Sequence, residues 1–223
     1  MSKNNLIITS EQIGDEIIKI WNFYSDKYFC EISPLIPKFI KKKSILFIGL
    51  NPSIRKNDKP EKYNKKLYTY DVRAEKDVYF GRFWNFAEKA NFKNKWTHFD
   101  LLFLRSDQKY VEKLIKDKKE CGDVFIRKQL QLSKKLLELS KPKMIIISNK
   151  LAGKLTGKDK FEKKGKIYDE WMNLKFEKFD DHYLLNEIPV IFSRQPNHFF
   201  SKKEMNELIE KIIKIKKQYK IFI

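Results

Sequence analysis

The stretch Ser44-Ile-Leu-Phe-Ile-Gly-Leu-Asn-Pro-Ser53 constrains the fold more than any other part of the chain. A short apolar run rich in Ile and Phe, stopped abruptly at Gly49, has the pattern of a fully buried strand. Asn51-Pro52 then forces a turn, because the residue before a proline is pushed out of the helical region and proline fixes its own φ. Ligands of open α/β sheets bind just beyond the carboxyl ends of the strands, which puts Asn51 at the mouth of a crevice. Its amide offers one acceptor and two donors, enough to hold a water or read a polar ligand. The same dipeptide also makes a plain Asx-type turn that only closes a buried strand. On the residues alone, both readings stand.

Further segments extend an α/β pattern. Trp96–Leu104, Lys143–Ser148 and the run from Ile188 read as strands, the second as a fully buried parallel one. Thr9 to about Ser25 reads as a helix, with Thr9 and Gln12 at capping-box spacing and Ile13, Ile17, Ile20, Trp21 and Tyr24 on one face. An aromatic-rich helix starts from Arg82, with Phe83, Phe86 and Ala90 on one face. Asp123 can cap a helix running to about Leu139, and Asn149-Lys150 opens another. Ser201 and Glu204 form a capping box for a terminal helix that presents Met205, Leu208, Ile209, Ile212 and Tyr219 inward. Residues 30–40 carry Pro34 and Pro37 and read as a loop. Arg55–Val78 and Gly157–Asn186 read as long basic excursions. The first interleaves Lys with Tyr63, Tyr68 and Tyr70, which suits phosphate neutralisation plus base stacking, or equally a surface loop whose tyrosines cover the core.

Charge bounds the partners. The 223 residues carry a formal net charge of +19 with a pI near 9.7. Such a field attracts polyanions, nucleic acid first and anionic membrane surface second, unless it serves solubility alone. Most of the excess is Lys, which suits general phosphate attraction better than bidentate reading of bases. No apolar run approaches the roughly 18 residues of a membrane span, and no signal-peptide apolar region is visible. Cys30 and Cys121, far apart, make neither a disulfide framework nor a zinc or iron–sulfur ligand set, so the expected setting is the reducing cytoplasm. No Gly-rich phosphate loop points to a nucleotide cofactor.

Gly49-Leu50-Asn51-Pro52-Ser53 resembles the first motif of the uracil-DNA glycosylase superfamily. That motif runs G-Q-D-P-Y in the uracil-specific enzymes and G-I-N-P-G or G-M-N-P-G in the mismatch-specific and single-strand-selective branches. Other stretches follow in the family's order, so the resemblance spans about Ser44 to Phe200. Gly81-Arg82-Phe83-Trp84 is similar to a segment ending N-R-F-W, and Asn149-Lys150 with Ala152 to a G-K-x-A turn. The loop after Ile188-Pro-Val-Ile-Phe occupies the place of the second motif, H-P-S-P-L or N-P-S-G. Ser193 falls at the histidine or asparagine, Gln195 at the serine and Pro196 at the second proline.

The resemblance implies a single domain over residues 1–223, a three-layer α/β/α fold around a mainly parallel four-stranded sheet. It implies a monomeric DNA glycosylase that needs no cofactor or metal and acts on single- or double-stranded DNA. Asn51 would hold the attacking water, and Ser193, with Arg194 or Gln195, would stabilise the departing base. Gly49, Leu50, Ser53, Tyr79, Phe80 and Asp100 would surround the flipped base. Arg194, Gln195, Pro196 and Asn197 would enter the minor groove, and Lys202 and Lys203 would hold phosphate beside the amides of the last helix. Three departures bear on the chemistry. Asp100 stands where relatives often have Asn, Ser53 replaces the Tyr that excludes thymine, and the second-motif imidazole is missing. His98, alternating with Asp100, is either structural or catalytic. A binding module that has lost catalysis is the other reading, and a Rossmann-like hydrolase of free nucleosides or nucleotides a third.

Overall fold

A computed structural model describes residues 6–54, 59–73, 78–158, 171–195 and 200–221, with the backbone alone at Val78 and Tyr79. Pro196, Asn197 and the side chain of Tyr79, all given roles above, lie outside the described residues. In chain order the elements are β1 Ile7–Thr9, α1 Glu11–Phe23, β2 Leu35–Pro37, β3 Phe39–Lys41, β4 Ile45–Gly49, β5 Tyr68–Tyr70, α2 Val78–Lys89 and β6 Trp96–Asp100. They continue with α3 Gln108–Lys116, α4 Gly122–Ser140, β7 Met144–Ile147, α5 Lys150–Thr156, β8 Glu177–Phe179, β9 His182–Leu185, β10 Ile188–Phe192 and α6 Lys202–Gln218.

The central sheet has the order β6-β4-β7-β10-β9-β8. The four strands expected from the sequence are its parallel part, β6, β4, β7 and β10. The sheet is nevertheless six-stranded, because the stretch read as a second irregular excursion contributes β8 and β9 as an antiparallel extension. These strands are short, and β8 is exposed along its length, so neither has the apolar run that marks a buried strand. Their turn carries the signal instead. Asn186 and Glu187 both have positive φ (49° and 67°) between the paired Leu185 and Ile188, the conformation a two-residue hairpin needs.

Helices cover both faces of the sheet. Leu46 and Ile48 of β4 and Ile145 and Ile147 of β7 pack with Ile13, Ile17 and Trp21 of α1 and Phe125, Ile126 and Leu130 of α4. Ile45, Phe47, Met144 and Ile146 enter a second core with Phe83, Phe86 and Ala87 of α2 and Leu208, Ile212 and Ile215 of α6. Alternate residues of one strand therefore serve different cores, which is why β4 and β7 are apolar throughout.

Local details depart from the sequence reading at the margins. Thr9 closes β1 rather than capping α1: its amide donates to Gln12 Oε1 (2.9 Å), but the N-cap is Ser10, whose side chain makes no capping bond. Residues 30–40 are not only loop, since β2 pairs with β5 and β3 with β1. The Ser201–Glu204 capping box forms in full.

Register decides what meets at the carboxyl ends of the strands. Gly49 is paired with Asp100, Ile48 with Ile147, and Ile147 with Phe192. The chain therefore leaves four adjacent parallel strands at one level, through Leu50, Leu101, Ser148 and Ser193.

Candidate active site

A cleft of about 570 Å³ opens over these strand ends. Of the residues singled out in the sequence, Gly49, Leu50, Asn51, Ser53, Phe80, Asp100 and Gln195 line it. Thr69, Tyr70, Arg105, Ser106, Asp107, Gln108, Ser148 and Asn149 add polar groups to the wall.

Asn51 is held from one side only. Its Nδ2 donates to the carbonyl oxygen of Ser106 (2.7 Å), with Ser106 Oγ (3.2 Å) and the carbonyls of Pro52 (3.2 Å) and Leu104 (3.4 Å) close by. Carbonyl oxygens only accept, so the end of the amide facing them must be the NH2 group. Oδ1 is consequently turned away from that cluster and accepts no hydrogen bond from the described residues. An acceptor fixed at the strand end can accept a hydrogen bond from a water and leave the water's lone pair free.

Asp100, the last residue of β6, has a side chain 10% exposed. Its carboxyl lies across the end of β4, where a Cβ on Gly49 would stand 2.0 Å from Oδ1. The glycine is required by this close approach, not by its backbone angles. Tyr70 donates to Asp100 Oδ2 (3.4 Å) and sits 3.2 Å from His98 Nδ1, while His98 Nε2 is 3.8 Å from Asp100 Oδ1. Burial pushes the Asp100 carboxyl up to about 7, with the Tyr70 hydroxyl pulling the other way. Burial also pushes His98 down to about 3, so the imidazole is neutral at physiological pH. His98 is fully buried and boxed by the rings of Phe80 and Phe83, each centred 5.4 Å away.

Phe80 reaches the cleft with 7% of its surface exposed and is stacked on Tyr70, with ring centres 5.6 Å apart. Leu50, 5% exposed, packs chiefly into the α1–α4 core. Ser53 is exposed at the rim. Ser148 Oγ donates to the Ile48 carbonyl (3.1 Å), tying β7 to β4 at the floor. Asn149 caps α5 through Oδ1, which accepts from Leu151 and Ala152 (2.8 and 3.0 Å), and its Nδ2 reaches Gln108 Oε1 (3.3 Å).

Of the second-motif positions among the described residues, Gln195 reaches the cleft and Ser193 stands apart from it. Ser193 does not line the cleft, and its hydroxyl donates to the Arg194 carbonyl (3.1 Å). The Arg194 guanidinium pairs with Glu204 (2.8 Å) in the first turn of α6. Glu204 also accepts from the Ser201 amide (2.8 Å), so the start of that helix already carries a carboxylate. Lys202 and Lys203 are exposed on the same turn, Lys203 lying 4.0 Å from Glu207.

Tyr70, Arg105 and Ser106 were missed as site residues. Ser106-Asp107 before Tyr110, Val111 and Leu114 is a legible helix start, and Asp107 does cap α3 by accepting from Tyr110 (2.7 Å). That signal would have brought the turn after β6 into the site. Among the described residues, no group of three or more His, Cys, Asp and Glu could hold a metal ion. No described helix is long and apolar enough to cross a membrane. No protein-family model matches the chain, and no curated protein matches it.

Proposed function

We propose that this chain is a monofunctional DNA glycosylase, built on a three-layer uracil-DNA glycosylase-like fold, that hydrolyses the N-glycosidic bond of uracil or another damaged or mismatched base. The observation that carries the reading is Asn51, whose amide is oriented so that Oδ1 faces away from its backbone supports at the end of β4, in one cleft with Asp100 and Phe80. DNA is the proposed partner, the acting species a monomer, and the cytoplasm the proposed compartment. No cofactor enters the mechanism.

The chemistry asks three things of these residues. A base must leave the stack, a cost of a few kcal/mol that pocket contacts offset. A water must lie beneath the anomeric carbon, and Asn51 Oδ1 accepts a hydrogen bond from it and so aims its lone pair. An oxocarbenium-like sugar is reactive enough for positioning to serve without a strong base. The departing base anion needs donors, each contributing on the order of 3 kcal/mol in comparable sites. Among the described residues of the β10 exit, Gln195 reaches the cleft.

A second reading is favoured by one specific observation. Ser193 is turned to its own chain and Arg194 is engaged by Glu204, so among the described residues the leaving-group side is thinly furnished. That arrangement suits a nucleic-acid-binding module with weak or no turnover.

Alkali cleavage of labelled oligonucleotides carrying uracil, hypoxanthine or a thymine mismatch separates the two. Base release that falls at least about 100-fold in Asn51→Ala supports the glycosylase, a loss in the range produced by misplacing one reacting group. DNA binding with no release from any substrate leaves the binding module.

A further inference from the structure

We propose that Lys41, Arg73 and Lys95 form a phosphate site at the amino-terminal end of β6, outside the cleft, which takes a backbone phosphate of bound nucleic acid. Its ligand rests on the nucleic-acid partner proposed above, and its existence is independent of turnover.

Three separate segments bring these cations together. Phe39 and Lys41 are alternate residues of β3, so they share one face of that strand, while Ile40 between them is buried. Arg73, shortly after β5, lays its guanidinium over the Phe39 ring, 5.2 Å from its centre. On the other side, the Lys41 ammonium donates to the Asn94 carbonyl (2.6 Å), in the turn that leads into β6. Lys95 follows in the chain, and its carbonyl accepts from the Ile45 amide (3.0 Å), which fixes it at the start of β6. Asp100 lies at the far end of the same strand, so the cluster is about 13 Å along β6 from the cleft.

Nothing in the described fold neutralises this cluster. None of the three side chains forms an ion pair with a described residue. The nearby carboxylate, Asp71, accepts from the Arg73 backbone amide (2.9 Å) and not from its guanidinium. One terminal nitrogen of Arg73 is buried without a hydrogen-bond partner. A guanidinium cannot shed its charge, so the repulsion among the three is permanent. Burial, together with the charges of Arg73 and Lys95, holds the Lys41 ammonium below its usual range. A phosphate brings what is missing: a negative charge, and oxygens that accept charge-assisted hydrogen bonds. The Lys41 ammonium has two N–H groups left after Asn94, and Lys95 is exposed. The start of α6, the phosphate position expected from the sequence, is by contrast already occupied by the Glu204 carboxylate.

The test is the salt dependence of DNA binding by the whole chain, read by fluorescence anisotropy on an undamaged duplex of about 20 base pairs between 50 and 200 mM salt. Replacing both Arg73→Gln and Lys95→Gln should reduce the slope of log affinity against log salt by about 0.9, the share of one phosphate. The same variant should bind close to tenfold more weakly at about 100 mM salt. Lys19→Gln with Lys128→Gln, at exposed positions of α1 and α4, removes the same formal charge and should leave the slope unchanged. Lys95→Glu changes one exposed side chain, so it serves even where the double variant does not fold. It should reduce the slope at least as much without lowering the urea midpoint. Equal slopes for the site and control variants overturn the proposal. Calorimetric binding of pyrophosphate that Lys95→Glu abolishes, with its DNA slope that of the wild type, also overturns it and makes the ligand a free phosphate compound. Absent base release from every oligonucleotide, with the slope difference present, overturns the glycosylase reading alone.

Discussion

His98 and Asp100 stand two residues apart on β6, and burial moves them in opposite directions. His98 has its pKa lowered from 6.5 to about 3, so its contribution to stability is complete above 6.5 and is lost as pH falls through that window. Asp100 has its pKa raised from 3.8 to about 7, so its contribution is complete below 3.8 and is lost as pH rises towards 7. Between about pH 4 and 6.5 the two slopes have opposite signs and nearly cancel. Asp100→Asn removes one of them. Urea unfolding should then show stability climbing with pH more steeply than in the wild type, by about 1.4 kcal/mol per unit, or about 2 kcal/mol between pH 4.5 and 6. An unchanged slope would mean that Asp100 is ionised in the folded protein. Asn51 was legible in the sequence because it follows an apolar run stopped by a glycine, and a strand end is a defined place, whereas Asp100 lay inside the run read as one strand to Leu104 and was reached only through the resemblance. Tyr70 was not legible as a site residue. Its importance comes from meeting residues 28 and 30 positions away, and local pattern carries no record of such a meeting.

At the scale of elements, α4 supports the site without touching it. Gln129 is fully buried, and its Oε1 accepts from the amides of Phe103 (2.8 Å) and Leu104 (3.3 Å). Ser133, one turn later, donates to the Leu101 carbonyl (2.7 Å). Together they fix the segment that leaves β6 and delivers the Leu104 and Ser106 carbonyls to Asn51. Gln129→Leu leaves two buried amides without their acceptor and should destabilise the protein by about 2–3 kcal/mol in urea unfolding. The same variant should speed amide exchange at Phe103 and Leu104 while leaving β7 protected. The four parallel strands were readable for a related reason: helices press on both faces, so burial writes itself into every residue of β4 and β7. β8 and β9 bury little, and their hairpin is specified by the backbone angles at Asn186 and Glu187, which propensity alone does not reveal in a Lys-rich stretch.

For the whole molecule, the net charge of +19 makes ionic strength the simplest probe of partner class. Each phosphate neutralised contributes about −0.9 to the slope of log affinity against log salt. Filter binding to duplex and single-stranded DNA should therefore weaken steeply between 50 and 200 mM salt, by about tenfold or more if only two phosphates are engaged. A flat response would point to a small-molecule ligand. The two margins of the sheet differ in a way that charge also governs. The β6 margin is shielded: the Lys41 amide of β3 donates to Thr97 Oγ1 (3.2 Å). The β8 margin is the last strand in the order, with Glu177, Lys178 and Phe179 all exposed. Lys214 of α6 steadies the adjoining turn through Asp180 (3.0 Å) and Asp181 (3.3 Å). An open ladder of this kind is a template for a neighbour's strand, and charged side chains are what discourage the pairing. Exchanging Glu177 and Lys178 for Val and Thr should make the protein self-associate with rising concentration in sedimentation velocity. Crowded storage at high salt, which screens the net charge of +19, would then be the condition that turns a tolerant surface into a seed for fibres.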